Sequence, residues 1–350
     1  MATNTWAGNK GEWSESYTFL KLLTNPLVSA ANSRLSIVPG KYYVAKRIIV
    51  PFSTRGPVEF APLAESYKYS ESAPGVSIQR IKAALPKFLE AIQSGTSAFE
   101  IPLIAELFID MGLDGFKAAS GKKMDIHLTL PSLGGGQDLD LGFSIKSQLG
   151  SASTLFNASG ATNIDFEIRD KSFAIEDFSG LKYHESRSLI RGRDARLHYL
   201  QPQNESFLDN LEFFGSDFPA KLASLVENAF MDQNSGSTLT ENIQIWAADN
   251  GGQIAEKKLV YQLKNFLRAT ALGMRPGTPW AGDLEGYGGY LIVAKNGDLL
   301  CLHLENDDEF KSYLLQNTRF DFPKDELIAK PRVESGKLVF PINFQIRFIK

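Results

Sequence analysis

The sequence predicts an α/β protein with a mixed central sheet flanked by helices and an additional carboxyl-terminal α+β region, on three observations. The stretch MDIHLTLPSLGGGQDLDLGFSIKSQLG holds two runs that alternate in period two about Gly134, Gly135 and Gly136, as paired half-buried strands do. Apolar residues recur at helical spacing in several other stretches, the first being GNKGEWSESYTFLKLLTNP. Finally, GYLIVAK, DLLCLHL, KLVFP and NFQIRF are short apolar, β-branched or aromatic runs that read as strands near the carboxyl end.

Each element follows from its own residues. Trp13, Tyr17 and Leu20 form one helical stripe of the first segment, which ends at Asn25 and Pro26. KYYVAKRIIV has strand character and carries Lys46 and Arg47. Residues 78–92 and 101–111 read as helices joined by a turn near Ser94 and Gly95, with Pro86 expected to kink the first. After the central hairpin, the small and polar SASTLFNASGATN precedes the strand-like NIDFEIRD. Residues 207–228 and 240–272 are helical in pattern, separated by the turn-rich MDQNSGST, which places a soft boundary near residue 235.

The hairpin carries chemistry on one face. Symmetric pairing about the glycines sets Asp125 opposite Lys146, His127 opposite Ser144 and Thr129 opposite Gly142, and gives the apolar face Ile126 with Ile145 and Leu128 with Phe143. A carboxylate binds a hard cation, and an ammonium group steadies developing negative charge. From the hairpin alone, an exposed ion pair is the plainer account of Asp125 and Lys146. In the first helix Glu12, Glu15, Phe19 and Leu22 form a second stripe, so Glu15 heads a row that turns apolar and places its carboxylate at the core edge. The alternative is that Glu12 and Glu15 simply favour the positive helix amino terminus.

Asp125 on one strand and Lys146 on the next resemble the metal-dependent nuclease core written PD-(D/E)xK. Ser144 stands where that pattern has an acidic residue, so a carboxylate must come from elsewhere, and Glu15, four residues after Gly11, resembles one supplied by a first helix. Gln148 resembles the Gln of a variant ending in KxQ. Together GNKGEWSE, GFSIKSQLGSASTLFNASGATN and the closing segment from GYLIVAKNGD to FPINFQIRF resemble type II restriction endonucleases of the HpaII family. This resemblance reaches both ends of the chain, although residues 27–120 hold no motif of the family.

The resemblance implies a restriction-endonuclease-like core over residues 1–235, with DNA-contacting loops, and a helix-plus-strand region over 236–350. It implies a Mg²⁺-dependent enzyme that hydrolyses both strands of DNA at a short, CCGG-like palindrome. Asp125 and Glu15 would hold the metal, Lys146 would orient the attacking water, and Ser144 and Gln148 would support them. A palindrome favours a homodimer, and the family implies pairing with a DNA methyltransferase. Two other readings stay open: a DNA-binding protein that has lost its chemistry, suggested by Ser144, and a structure-selective repair nuclease, suggested by Gln148.

Composition agrees with these expectations. A formal net charge of −3 gives no overall attraction to DNA, so a DNA enzyme must gather its basic residues locally. Arg187, Arg191, Arg193 and Arg196 are close in sequence, and Gly192 suggests a loop able to approach a phosphate or a guanine edge, against the alternative of a solvated face paired with Glu185 and Asp194. Asn157 and Asn163 follow the Lys146 strand and are candidates for DNA contact. A single cysteine excludes an internal disulfide, no apolar run suits a membrane span or signal peptide, and a cytoplasmic location is expected. The four histidines are scattered, with no metal-ligand spacing between any two.

Overall fold

The computed structural model describes residues 6–53, 56–116, 124–131, 136–232, 236–323 and 330–349. Gly134 and Gly135 of the expected turn lie outside them. In chain order the main elements begin with α1 (Lys10–Thr24), β1 (Leu27–Ala31), β2 (Ile37–Val44), β3 (Arg47–Val50) and β4 (Val58–Phe60). They continue with α2 (Ile78–Ser94), α3 (Pro102–Met111), β5 (Ile126–Leu130) and β6 (Leu139–Ser147). Next come β7 (Thr154–Phe156), β8 (Asn163–Ile168), α4 (Tyr183–Gly192), β9 (Leu197–Pro202), α5 (Glu205–Glu212), α6 (Phe218–Met231), α7 (Leu239–Asp249) and α8 (Gly252–Leu272). The last are β10 (Gly289–Val293), β11 (Leu299–His303), α9 (Asp307–Gln316), β12 (Thr318–Asp321), β13 (Arg332–Glu334), β14 (Lys337–Asn343) and β15 (Gln345–Phe348).

The contacts divide the chain into two units, and not at the expected boundary near 235. Among the described residues, those up to 151 and 285–310 form one, and 152–284 with 311–349 form the other. The strands β10 and β11, far along the chain, thus belong with the amino-terminal elements. Their reason is pairing: β10 lies parallel to β6 and β11 lies parallel to β1, so the first unit's sheet is completed only by the later segment.

That sheet has eight strands in the order β2-β1-β11-β10-β6-β5-β3-β4 and is mixed, with helices against it. Its core joins α1, α2 and α3 to alternate strand residues, including Trp13, Phe19, Phe88, Phe108, Ile126, Phe143, Ile145 and Leu291. Trp13 stacks on Phe116 with ring centroids 4.1 Å apart and donates its indole N–H to the Phe99 carbonyl at 2.9 Å. Helix α1 starts with a capping box, in which Asn9 Oδ1 accepts from the amides of Gly11 and Glu12 while Glu12 Oε2 accepts from the Asn9 amide. Glu12 is therefore a helix cap. Helix α2 runs through Pro86 as one helix, KYYVAKRIIV is split between β2 and β3, and the two long carboxyl-half helices are each divided in two.

The second unit contains a four-stranded sheet, β9-β8-β14-β13, and a three-stranded one, β7-β15-β12, with α4 to α8 in the same unit. Among the described residues no helix is long and apolar enough to cross a membrane.

The hairpin register differs from the symmetric expectation by two residues. Asp140 faces Thr129, Gly142 faces His127 and Phe143 faces Ile126. A shift of two preserves which face each side chain occupies, so the apolar face is as expected while every partner changes. Two local features explain the choice. A Cβ at Gly142 would lie 2.8 Å from Met124 Cγ and 3.2 Å from His127 Cε1, so this tight position suits glycine. Thr129 Oγ1 also donates to Asp140 and accepts from Arg47 Nε at 2.8 Å, tying β6, β5 and β3 together in this register.

Candidate active site

In the observed register Asp125, just ahead of β5, lies beside Ser144 rather than Lys146. Its amide donates to the Phe143 carbonyl at 3.0 Å. Its Oδ2 accepts from the Ile145 amide at 2.6 Å and from the Ser144 hydroxyl at 3.2 Å. Ser144 thus replaces the expected second carboxylate with a donor that orients the first. Lys146 follows two residues later on the same face of β6, and its Nζ lies 5.1 Å from the centre of the Tyr290 ring. Tyr290, buried on β10, pairs in register with Ser144.

Helix α1 brings the second carboxylate. Its first turns are fixed to the end of β6 by Ser14 Oγ donating to Ser147 Oγ at 2.8 Å and by Lys10 Nζ donating to the Leu149 carbonyl at 3.3 Å. Lys10 also reaches the Gln93 carbonyl at 2.6 Å. Glu15, half-buried, is thereby close enough for its charge to act on Lys146. The structure therefore joins Asp125, Ser144, Lys146 and Glu15 in one place. Gln148 is exposed, and its amide N–H extends the pairing to the Val293 carbonyl at 2.9 Å.

The electrostatics follow from burial. Loss of water pushes the Asp125 carboxyl above its usual range, and the nearby Lys146, the Ile145 amide and the Ser144 hydroxyl offset part of that rise. Burial likewise draws the Lys146 ammonium below its ordinary value, against the pull of Asp125 and Glu15. A desolvated lysine beside a desolvated carboxylate is suited to proton transfer and to a bound cation more than to surface solubility.

Among the described residues no group of three or more His, Cys, Asp and Glu side chains is arranged to hold a metal ion. Asp125 and Glu15 are two carboxylates, and a Mg²⁺ site commonly uses one or two together with water and substrate phosphate oxygens. The donor set is compatible with that hard cation.

Tyr290 and the Ile145 amide were not found by sequence reasoning. Tyr290 comes from a strand 144 positions away from Lys146 in number, and parallel pairing over such a distance leaves no local signal. Its one trace is a tyrosine in an otherwise aliphatic strand.

The arginine cluster belongs to the second unit and is largely engaged. Gly192 ends helix α4 instead of forming a loop. Arg187 donates to the carbonyls of Phe230 at 2.7 Å and Ala229 at 3.0 Å and lies over the rings of Phe230 and Phe322. Burial lowers its pKa to about 10, and the Arg191 charge adds to the effect. Arg191 donates to the Phe230 carbonyl at 2.9 Å and to that of Asp232, so both side chains satisfy the carboxyl end of α6. Arg193 pairs with Asp177 at 2.8 Å, not with Glu185 or Asp194, and lies over Phe173. Arg196 and Asn157 are exposed, whereas Asn163 is buried and bonded to Gln203 and Asn343.

Comparison with known proteins supplies the family. The model of the HpaII restriction endonuclease family matches residues 9–348. Type II restriction enzyme HpaII from Haemophilus parainfluenzae is 32% identical, over 99% of this chain and 100% of the relative. No solved structure matches. The chain belongs to the HpaII restriction endonuclease family and is a site-specific deoxyribonuclease.

Proposed function

We propose that the chain hydrolyses phosphodiester bonds of double-stranded DNA at a short, CCGG-like palindrome in a Mg²⁺-dependent reaction, using a core of the PD-(D/E)xK kind. The observation that carries this reading is the gathering of Asp125, Glu15 and Lys146 into one site, in which Asp125 and Lys146 are desolvated and Glu15 acts on Lys146. Asp125 and Glu15 would hold the metal, which when bound supplies charge at the scissile phosphate and makes water more acidic.

The chain's own residues do the rest. Ser144 and the Ile145 amide hold the Asp125 carboxylate in one orientation. Lys146, with its lowered pKa, orients the attacking water and can exchange a proton with it. Tyr290 supports the ammonium group from below through its ring face. Gln148, exposed two residues past Lys146, would assist at the phosphate.

Reading a palindrome favours a homodimer whose two-fold axis coincides with that of the site. A partner DNA methyltransferase and a cytoplasmic location fit a restriction enzyme. Arg193, Arg196 and Asn157 are the exposed members of the DNA-contact candidates, with Arg193 paired to Asp177, whereas Arg187, Arg191 and Asn163 hold the surrounding structure.

Incubation of the protein with a phage genome and Mg²⁺ tests the reading. Discrete fragments are expected. An intact genome, with DNA still bound, would instead favour the inactive binding protein that Ser144 suggests, and cutting confined to branched or mismatched DNA would favour a repair nuclease.

A further inference from the structure

The sheet β9-β8-β14-β13 carries a polar row that the proposed chemistry does not use. Along β8, Ile164, Phe166 and Ile168 fill the core side, and Asn163, Asp165 and Glu167 alternate with them. Asn163 and Asp165 are nevertheless only 2% and 4% exposed. They are linked in a chain of side-chain bonds. Asn343 Nδ2 donates to Asn163 Oδ1 at 2.7 Å, and Asn163 Nδ2 donates to Gln203 Oε1 at 2.9 Å. Gln203 Nε2 donates to Asp165 Oδ1 at 2.9 Å. Arg332 then donates to both Asp165 oxygens, at 3.1 and 2.6 Å.

Gln203 and Arg332 end this chain at the surface, where with Gln201 and Lys330 they line an open depression of about 400 Å³. Ion pairs taken out of water often stabilise no more than an apolar pair of similar size, so the role assigned to Asp165 and Arg332 here is orientation. Arg332 is committed, because Glu334 also accepts from its Nε at 2.9 Å. Gln203 is not. Its amide has two N–H donors and two acceptor positions, and the network uses one of each, leaving one donor and one acceptor available on an exposed side chain.

We propose that this depression reads base edges of duplex DNA, with Gln203 contacting the base and Asp165 and Arg332 as positioning residues. A glutamine amide offers the donor and acceptor pair that matches an adenine edge or, spanning a G·C pair in the major groove, donates to guanine O6 and accepts from cytosine N4. Holding that amide from behind removes the cost of ordering it on binding. The inference rests on the reading of the chain as a DNA-cutting enzyme.

The test uses the full chain. Wild-type protein in Ca²⁺ selects a consensus from a random pool of duplexes, and affinity is then measured on that consensus and on a scrambled duplex. Gln203→Ala should weaken consensus binding by ~5- to 150-fold, the worth of a good bidentate base contact. It should leave the scrambled duplex unchanged and relax the selected sequence at one position of each half-site. Asp165→Asn should relax the same position. Equal losses on both duplexes, an unchanged selection, or a fall in melting temperature without a change in the consensus-to-scrambled ratio would overturn the proposal. Failure of the wild-type protein to select any consensus would overturn it as well. Digestion of a phage genome is scored separately: discrete fragments with an unrelaxed Gln203→Ala variant sink this surface alone, and an intact genome with a relaxed variant sinks the nuclease reading alone.

Discussion

The Asp125 carboxylate and the Ser144 hydroxyl are 3.2 Å apart, on neighbouring strands, with the Ile145 amide closing on the same oxygen at 2.6 Å. Both donors act on one oxygen and fix the carboxylate, whose charge acts on Lys146. Replacement of Asp125 by Ala should therefore abolish cleavage and leave DNA binding in Ca²⁺ within about threefold of wild type, a difference of under ~1 kcal/mol by the usual conversion. Near-normal cutting by that variant in Mg²⁺ would remove Asp125 from the site.

Glu15→Gln keeps shape and removes charge. The expected loss in cleavage rate exceeds tenfold, or about 1.4 kcal/mol of barrier. A smaller loss, measured under single-turnover conditions, would return Glu15 to the role of a charge near the helix amino terminus.

Burial raises the Asp125 pKa above its ordinary value, so the folded protein binds that proton more tightly than the unfolded chain. The contribution of this group to stability therefore falls as pH rises from the ordinary carboxylate value through the raised one. Asp125→Asn cannot titrate there. Melting temperatures in EDTA should show the Asn variant gaining on wild type as pH rises across that window, and a constant gap would contradict the assignment.

Arg187→Ala and Arg191→Ala strip donors from the carboxyl end of α6. Each should lower stability by about 1–3 kcal/mol, the usual penalty for leaving a buried polar group unsatisfied, as read from urea unfolding. Arg196→Ala should leave stability alone and, as a phosphate contact, weaken binding equally on all duplexes while the salt slope falls by about one unit. Unaltered stability in the first two variants would show that the capping bonds carry no weight.

Gly289 has φ +98°, and a Cβ there would lie 2.2 Å from the Leu302 carbonyl oxygen. Gly289→Ala should destabilise the protein by about 1–3 kcal/mol through strain and overpacking. Because Tyr290 follows directly, cleavage should fall further than the loss of folded protein explains. Wild-type melting and activity in this variant would show that β10 tolerates the shift.

The sequence by itself determined the local alternation, the helix that carries Glu15 and the face on which Asp125, Ser144 and Lys146 lie, because strand and helix periods are properties of neighbouring residues. The stripe of Trp13, Tyr17 and Leu20 and the stop at Asn25 and Pro26 sufficed to place α1. Tertiary structure decided the rest. A two-residue slip leaves every face unchanged, so the pattern could not choose between Lys146 and Ser144 as the neighbour of Asp125, and the tight space at Gly142 did. The parallel contact of β6 with β10 brought Tyr290 under Lys146 through a pairing that no local signal reports. Likewise the arginines between 187 and 196 were legible as a basic cluster, but only the fold assigned two of them to the carbonyls ending α6, since hydrogen-bond partners distant in sequence are set by packing.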